Sequence, residues 1–294
     1  MMKRAAALAA FVGLVSVLIP LLGPDQPTSA APLVFGRFDQ SFQPTDGKVF
    51  VLVIGNDARS GNPDGALADA IHIVGVNTQT MRGAILNFPR DSWVNIPGYG
   101  SAKINEALHR GGPELLADTL QNLTGVQLDY WAMTGFEGFR GIIDDLGGVK
   151  IHIPQDIYDP GGSGANIQAG TKNLGPLNAL AYARTRKSLS GGDVARSTNQ
   201  GRLLIALLAK LGRQAGHDPS AVLKWMSVTR KHARLNLSAD EQFRLGILAS
   251  QLSPKRIRNV TIPVSLGSVG AASVVFIAPG AQSIFDRFSR DASL

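Results

Sequence analysis

The chain has 294 residues, 44% of them hydrophobic and 17% charged, with a formal net charge of +7. This composition is that of a globular protein and excludes a disordered one; the positive charge favours an acidic partner, whether nucleic acid, anionic lipid or a phosphorylated substrate. Having no cysteine, the chain cannot use disulfides, thiol catalysis or thiolate metal sites.

Lys3 and Arg4 precede an uncharged apolar run, residues 5–22, interrupted by Gly13, Ser16 and Pro20. Crossing a bilayer takes ~20 residues, and the run has no polar face. We read 5–22 as a transmembrane anchor with residues 1–4 cytoplasmic, because flanking positive charge stays inside. A cleaved signal is the alternative, since Thr28-Ser29-Ala30-Ala31 offers small residues to a peptidase. Either way the remainder is exported. Pro24, Pro27, Pro32 and Pro44 mark 23–47 as a linker, and 48–294 reads as one domain.

Within that domain, VFVLVI (49–54) is the continuous apolar run of a strand buried on both faces. Further strands are expected at 70–76 and 83–88, the second ended by Pro89 with Arg90-Asp91 just beyond it. Residues 103–109 form a short helix stopped by Gly111-Gly112, and 113–123 form another. A strand at 128–133, a helix at 136–146 and a strand at 149–153 follow. The stretch 154–175 reads as a long, glycine-rich loop of functional or mobile character. Helices are expected at 176–183, 197–211, 219–231 and 238–251, the last with a capping box of Ser238 and Glu241. Residues 258–264 and 273–277 read as a closing strand pair, and 281–288 as a final helix. Strands alternating with helices predict an α/β layered domain.

The strongest chemical signal is AYARTRKSLSGGDVARSTNQGR (181–202). Arg184, Arg186, Lys187, Arg196 and Arg202 surround the turn Gly191-Gly192, and Asp193 is the only acid among them. A guanidinium stays charged at any ordinary pH, and its fork matches phosphate oxygens in pairs. Forks converging from two sides of a turn make a clamp for a diphosphate, and Arg196 near a helix start adds the pull of free N–H groups. A solvated basic face is the ordinary alternative.

Asp57, in Gly-x-Asp-x-Arg with Arg59, lies beyond the carboxyl end of a strand, where α/β sheets place ligands. There it is a hard oxygen ligand suited to Mg²⁺, with Asp69 as the second carboxylate; an Asx turn and a surface ion pair explain the same residues. Arg90-Asp91, Lys103 and Asn105 are recognition donors or ordinary decoration. His72, His109, His152, His217 and His232 show no metal-ligand spacing and read as structural or surface residues. Tyr130, Trp131 and Tyr158 line an apolar groove or simply fill core.

The ordered set VLVIGNDAR (51–59), ADAIHIVGVN (68–77), FPRDSWVNIPGYG (88–100), KINEALHRGG (103–112), FEGFRGIIDDLGGVKIHIP (136–154), Tyr158-Asp159-Pro160 and ALAYARTR with GGDVARSTNQG (179–201) resembles the LytR-CpsA-Psr (LCP) cell-envelope phosphotransferases. The resemblance implies a three-layer α-β-α domain with a central mixed sheet, held outside the membrane by one amino-terminal helix. It implies transfer of a glycopolymer from a polyprenyl-diphosphate carrier onto peptidoglycan, with a phosphodiester formed, membrane lipid as a partner, and a pyrophosphatase side activity. Asp57 and Asp69 match the acids near Mg²⁺, and Arg90, Arg184 and Arg186 match the diphosphate binders. Asp91, Lys103 and Arg196 match other polar positions, with Arg59, Asn105, Gln200 and Arg202 as further substrate contacts. Core side chains would form a tunnel for the prenyl chain. One departure stands out: many members carry a second arginine before the Gln, where this chain has Asn199, so Arg202 completes the clamp or this member binds more weakly. The GGDVARSTNQG form resembles actinobacterial members, whose wall also carries arabinogalactan. A scaffold that holds a lipid-linked precursor without reacting it is the rival from another class. Nucleic acid is not an expected partner, because an exported domain lies on the wrong side of the membrane.

Overall fold

A computed structural model describes residues 33–37, 47–58, 65–235 and 238–294; the run 5–22, its flanks and Arg59 lie outside the described residues. Among the described residues no helix is long and apolar enough to cross a membrane. The chain begins with β1 (Leu33–Arg37), β2 (Lys48–Asn56), β3 (Ala68–Asn77), β4 (Arg82–Asn87), β5 (Trp93–Ile96) and β6 (Gly100–Lys103). It continues with α1 (Asn105–Thr124), β7 (Tyr130–Thr134), α2 (Phe136–Asp145) and β8 (Val149–Ile153). Three short strands, β9 (Ile157–Asp159), β10 (Ala165–Ile167) and β11 (Gly170–Leu174), lead to α3 (Pro176–Arg184) and α4 (Gly192–His217). The end is α5 (Ala221–Lys231), β12 (Ala233–Leu235), α6 (Ala239–Gln251), β13 (Ile257–Thr261), β14 (Val264–Val269), β15 (Ala272–Ile277) and α7 (Ala281–Asp291).

Seven strands form the central sheet in the order β12-β1-β7-β2-β3-β4-β13. β2 runs parallel to β7 and antiparallel to β3, and β13 is parallel to β4, so the sheet is mixed. Alternation along the strands decides the layers. Phe50, Leu52, Ile71, Ile73 and Leu86 face one core with α1 and α7, where Phe288 meets Phe50 edge-on at 5.3 Å. Val76, Ile85 and Ile257 face the other way, onto Leu204 and Leu208 of α4 and Leu248 of α6. A separate apolar cluster joins β8–β11 to α2, α3 and α4 through Val149, Ile157, Ile167, Tyr182 and Leu203. The result is the expected α/β domain, a mixed sheet between helical layers.

Several expectations hold in detail. Gly111 and Gly112 leave helical geometry inside α1, marking the break between two helical segments, and Ser238 with Glu241 forms the reciprocal capping box. Others need correction. Residues 154–175 are not a loop but carry β9–β11, whose alternate buried positions pack into the second cluster. Strand 257–261 does not pair with 272–277; it joins β4 at the sheet edge, and β14 with β15 makes a hairpin of its own. Leu33–Arg37, within the stretch read as a linker, is a strand between β7 and β12. The hairpin β5–β6 was absent from the sequence reading. Strands of three to six residues carry too few alternations to stand out before their partners are known.

Candidate functional site

A cavity enclosing about 690 Å³ of empty space, solvent at its mouth included, lies between the sheet and helices α2, α3 and α4. Val53 and Ile54 of β2, Ala70 and His72 of β3, Phe136 and Phe139 of α2, and Leu180 and Ala183 of α3 wall it in. From α4 come Arg196, Gln200, Leu203, Leu204 and Leu207, the side of the helix that faces the sheet. The wall is mostly apolar, and its polar groups gather where β2 ends and β3 begins: Asn56, Asp69, Arg184, Arg196 and Gln200.

At that rim the charges interlock. Arg90 leaves β4 through a tight turn in which the Ser92 amide donates to Pro89 O at 3.0 Å, while the Ile104 amide returns to Ser92 O at 2.8 Å. The β5–β6 hairpin is thereby closed onto Arg90 and Asp91. Arg90 donates to Asp69 through Nη1, and its Nε lies 3.7 Å from Asp193 Oδ1 and 3.9 Å from Asp91 Oδ2. Lys103 Nζ binds Asp91 Oδ1 at 2.9 Å. Asp193, in the first turn of α4, is 2.5 Å from Arg196 Nη2 and joins Arg196 to Arg90. Burial raises the Asp193 carboxyl above the usual range, opposed by Arg196 and Arg90. Burial lowers the Arg196 guanidinium, only 6% exposed, against the pull of Asp193. For Arg90 burial also works downward, but Asp69, Asp193 and Asp91 together raise it.

The contacts of Arg90 Nε with Asp193 and Asp91 and of Arg196 Nη2 with Asp193 are ion pairs by distance without being well-aligned hydrogen bonds: Arg90 Nε and Arg196 Nε and Nη2 are buried and lack an aligned partner among the described residues. Donors left in this condition suit an incoming anion with several oxygens. Arg184 stands apart from the carboxylates. Its guanidinium lies 4.7 Å above the Phe136 ring, at the point where the rim passes into the apolar wall.

A buried polar chain backs the cavity. His72 Nδ1 meets Asn87 Oδ1 at 2.8 Å, Asn87 Nδ2 donates to Asn259 Oδ1 at 2.7 Å, and Asn259 Nδ2 donates to Thr198 O of α4 at 2.9 Å. Burial is the main cause that lowers the His72 pKa from 6.5 to about 4. A depressed folded pKa means that the unfolded chain binds the proton more readily, so stability is lost as pH falls from 6.5 towards 4. Wild type is expected to lose about 3 kcal/mol more than His72→Gln between pH 7 and pH 4, measured by denaturant unfolding at each pH. Equal losses in the two proteins would mean that His72 is not neutral in the fold.

The structure brings together Asp69, Arg90, Arg184, Arg196 and Gln200, with Asp91 and Lys103 bound just outside. Arg186 is exposed but close enough for its charge to act on Arg196. Asp57 follows β2, beside the start of β3, and its Oδ1 accepts the Leu67 amide at 3.1 Å, the turn-holding role weighed above. Asn105 donates its backbone amide to Arg90 O at 3.2 Å and does not line the cavity. Arg202 is exposed, does not line the cavity, and donates to Asn199 Oδ1 at 2.9 Å, an oxygen that also accepts from Tyr182 OH. Tyr130 and Trp131 are core, and Tyr158 is exposed. Sequence reading missed Asn56, His72, Phe136 and Phe139 as cavity residues and gave Asp193 no role. A signal existed for two of them, since Asp193 is the lone acid among the arginines and His72 interrupts an apolar strand.

For Mg²⁺, no three His, Cys, Asp or Glu side chains among the described residues are placed to hold a metal ion together. The ion commonly takes one or two carboxylates and completes its shell with water and substrate phosphates. Asp69 at the rim and Asp57 on the neighbouring strand end fit such a partial set, because pairing of Asn56 with Ala68 puts both at one end of the sheet.

Known proteins resemble this chain in sequence and in fold. LcpB of Corynebacterium glutamicum, described as a probable cell wall biosynthesis protein, is 34% identical over 171 residues, 54% of this chain and 41% of that protein. TagT of Bacillus subtilis, described as a polyisoprenyl-teichoic acid–peptidoglycan teichoic acid transferase, is 34% identical over 179 residues, 58% of this chain and 55% of its own length. The match thus spans about half the length of these relatives. A TagT structure with bound octaprenyl pyrophosphate lipid superposes with a TM-score of 0.66 at 22% identity, covering 91% of this chain and 97% of that one, and establishes likeness of fold. The LytR_cpsA_psr family model matches residues 25–286, nearly the whole chain, and with the mixed sheet and the arginine-rimmed cavity in place the protein belongs to the LytR_cpsA_psr family.

Proposed function

We propose that this protein transfers a glycopolymer from a polyprenyl-diphosphate carrier onto peptidoglycan, outside the membrane to which residues 5–22 anchor it. The observation that carries the reading is the junction of two chemistries in one cavity: Arg184 and Arg196 at the rim, Arg90 held beside them by Asp69 and Asp193, and an apolar wall behind. A diphosphate with a hydrocarbon tail has the matching polarity. The relatives support the direction, since TagT is named for transfer of teichoic acid to peptidoglycan.

In this reading the guanidiniums bind the diphosphate and neutralise the charge that develops as polyprenyl phosphate departs, the dominant effect in phosphoryl transfer. A sugar hydroxyl of peptidoglycan bonds to the phosphorus that carries the glycan, and the bond from that phosphorus to the bridging oxygen breaks. A loose transition state asks little of a base; the hydroxyl proton passes to solvent or to Asp91. Mg²⁺, held by Asp69 and Asp57, would supply further charge neutralisation at the phosphates. Arg90 is kept in place by Asp69 and Asp193, and the apolar wall excludes water from the tail side of the diphosphate.

Asn199 favours a second reading, a protein that holds the carrier without reacting it, because neither Asn199 nor Arg202 adds a guanidinium to the rim. Incubating the purified chain with a lipid-diphosphate glycan, Mg²⁺ and peptidoglycan separates the two. Transfer yields polyprenyl phosphate and phosphate-linked glycan on the wall polymer. Carrier bound but recovered intact supports the holding protein, and no binding at all defeats both.

A further inference from the structure

Among the described residues two acceptors in the cavity wall have no protein donor, and the surrounding hydrogen bonds determine which ends are bare. Thr198 O can only accept, so Asn259 gives it Nδ2 and turns Oδ1 towards Asn87. Asn87 must then donate through Nδ2, which presents its own Oδ1 to His72. The proton of the imidazole therefore sits on Nδ1, 2.8 Å from that oxygen, and Nε2 carries a lone pair. Gln200 is oriented in the same way: Nε2 donates to Ala183 O at 3.0 Å and to Asp69 O at 3.4 Å, so Oε1 is the free end. Reversing either amide would set one carbonyl against another.

Both side chains line the cavity, His72 at 1% exposure and Gln200 at 8%. The Gln200 side chain is close enough to His72 to favour the protonated ring, and both side chains line the same cavity. Neither Nε2 nor Oε1 finds a donor among the described residues. Buried polar groups in folded proteins are almost always paired. Protonating His72 does not resolve the pair at neutral pH, because burial holds its pKa near 4.

We propose that His72 Nε2 and Gln200 Oε1 form a binding site in the cavity wall for a neutral O–H donor, filled by water or by the hydroxyl of an aliphatic ligand. Water offers two protons for two acceptors and a lone pair for Arg196, whose Nε and Nη2 lack aligned partners and whose charge acts on the same imidazole. An alcohol offers one proton and lays its tail against Phe139, Leu203 and Leu207. Ionised phosphate or carboxylate, being acceptor-only, cannot pair with His72 Nε2 or Gln200 Oε1. The notch therefore differs in chemistry from the arginine rim and stands whether or not the transfer reaction does.

The test compares 1-decanol with decyl methyl ether, which has the same tail but no donor, by calorimetry on the full chain, together with ¹⁵N NMR of His72. In the ligand case the alcohol binds roughly tenfold more tightly than the ether, the equivalent of one hydrogen bond. His72→Leu and Gln200→Met should each reduce that preference to within about threefold. Gln200→Met leaves the His72–Asn87 bond untouched, so it remains informative if His72→Leu misfolds. In the water case alcohol and ether bind alike, and the His72 Nε2 resonance is that of a hydrogen-bonded lone pair with a cross-peak to bound water. Equal binding with Nε2 free of any hydrogen bond, or a proton on Nε2 in place of Nδ1, overturns the proposal.

Discussion

Replacing Arg184 by alanine is expected to lower glycopolymer transfer by roughly 10²–10³-fold, the range for removing one preorganised donor from developing charge. The melting temperature should change little, because Arg184 makes no ion pair among the described residues and its contact is the Phe136 ring. A contact of that kind is worth ~0.5–1 kcal/mol, a few degrees at most in a domain of this size. This separation makes Arg184 a cleaner probe than Arg90, whose removal would strand Asp69 and take one of two cationic neighbours from Asp91 and from Asp193. Arg184→Lys keeps the charge, loses the fork, and should fall between wild type and alanine. Steady-state transfer and thermal unfolding on the same preparations provide the check. Activity of Arg184→Ala within tenfold of wild type would remove this arginine from the clamp.

Gly201→Ala should be the most damaging small substitution in α4. A Cβ there would lie 2.0 Å from Asn259 Oδ1 and 2.6 Å from Asn87 Oδ1, the two amides that hold His72 in its tautomer. Overpacking costs ~1–3 kcal/mol and leaving a buried polar group unpaired costs a similar amount, so a loss of about 3–5 kcal/mol is expected. Against a total stability of ~5–15 kcal/mol that is a large fraction. Gly216→Ala on the same helix is the control: its Cβ meets nothing within 4 Å, and the change should be neutral or stabilising by up to ~1 kcal/mol. Urea unfolding of both variants decides the matter. Similar stabilities would show that α4 does not rest closely on β4 and β13 through Gly201.

How much could be read in advance is clearest residue by residue. The strand 49–54 was legible because all six residues are apolar, although only the face of Phe50, Leu52 and Ile54 is fully buried and Val51 and Val53 are half-buried; the break at Gly111-Gly112 was legible because glycine leaves helical geometry readily. Arg184 and Arg196 were legible as a pair because their spacing around one turn is local. That Arg202 lies off the cavity lining was not legible, for the opposite reason: a helix turns its residues through about 100° each, and the face that looks into the cavity is chosen by packing against the sheet. His72 offered only an unusual residue in an apolar strand, and its neutral state rests on Asn87, Asn259 and Thr198, which lie far apart along the chain.

By itself the sequence determined the layered α/β class, the basic cluster around Gly191-Gly192 and the family likeness, because each depends on periodicity, on local spacing or on motifs in order. Only the tertiary structure decided that Asp193 bridges Arg90 and Arg196, that Asn199 ties Arg202 to Tyr182, and that His72 and Gln200 present bare acceptors to one cavity. Charges and hydrogen bonds act over a few ångströms of space, whatever the separation in sequence, and the packing of α4 on the sheet brings these groups within that range.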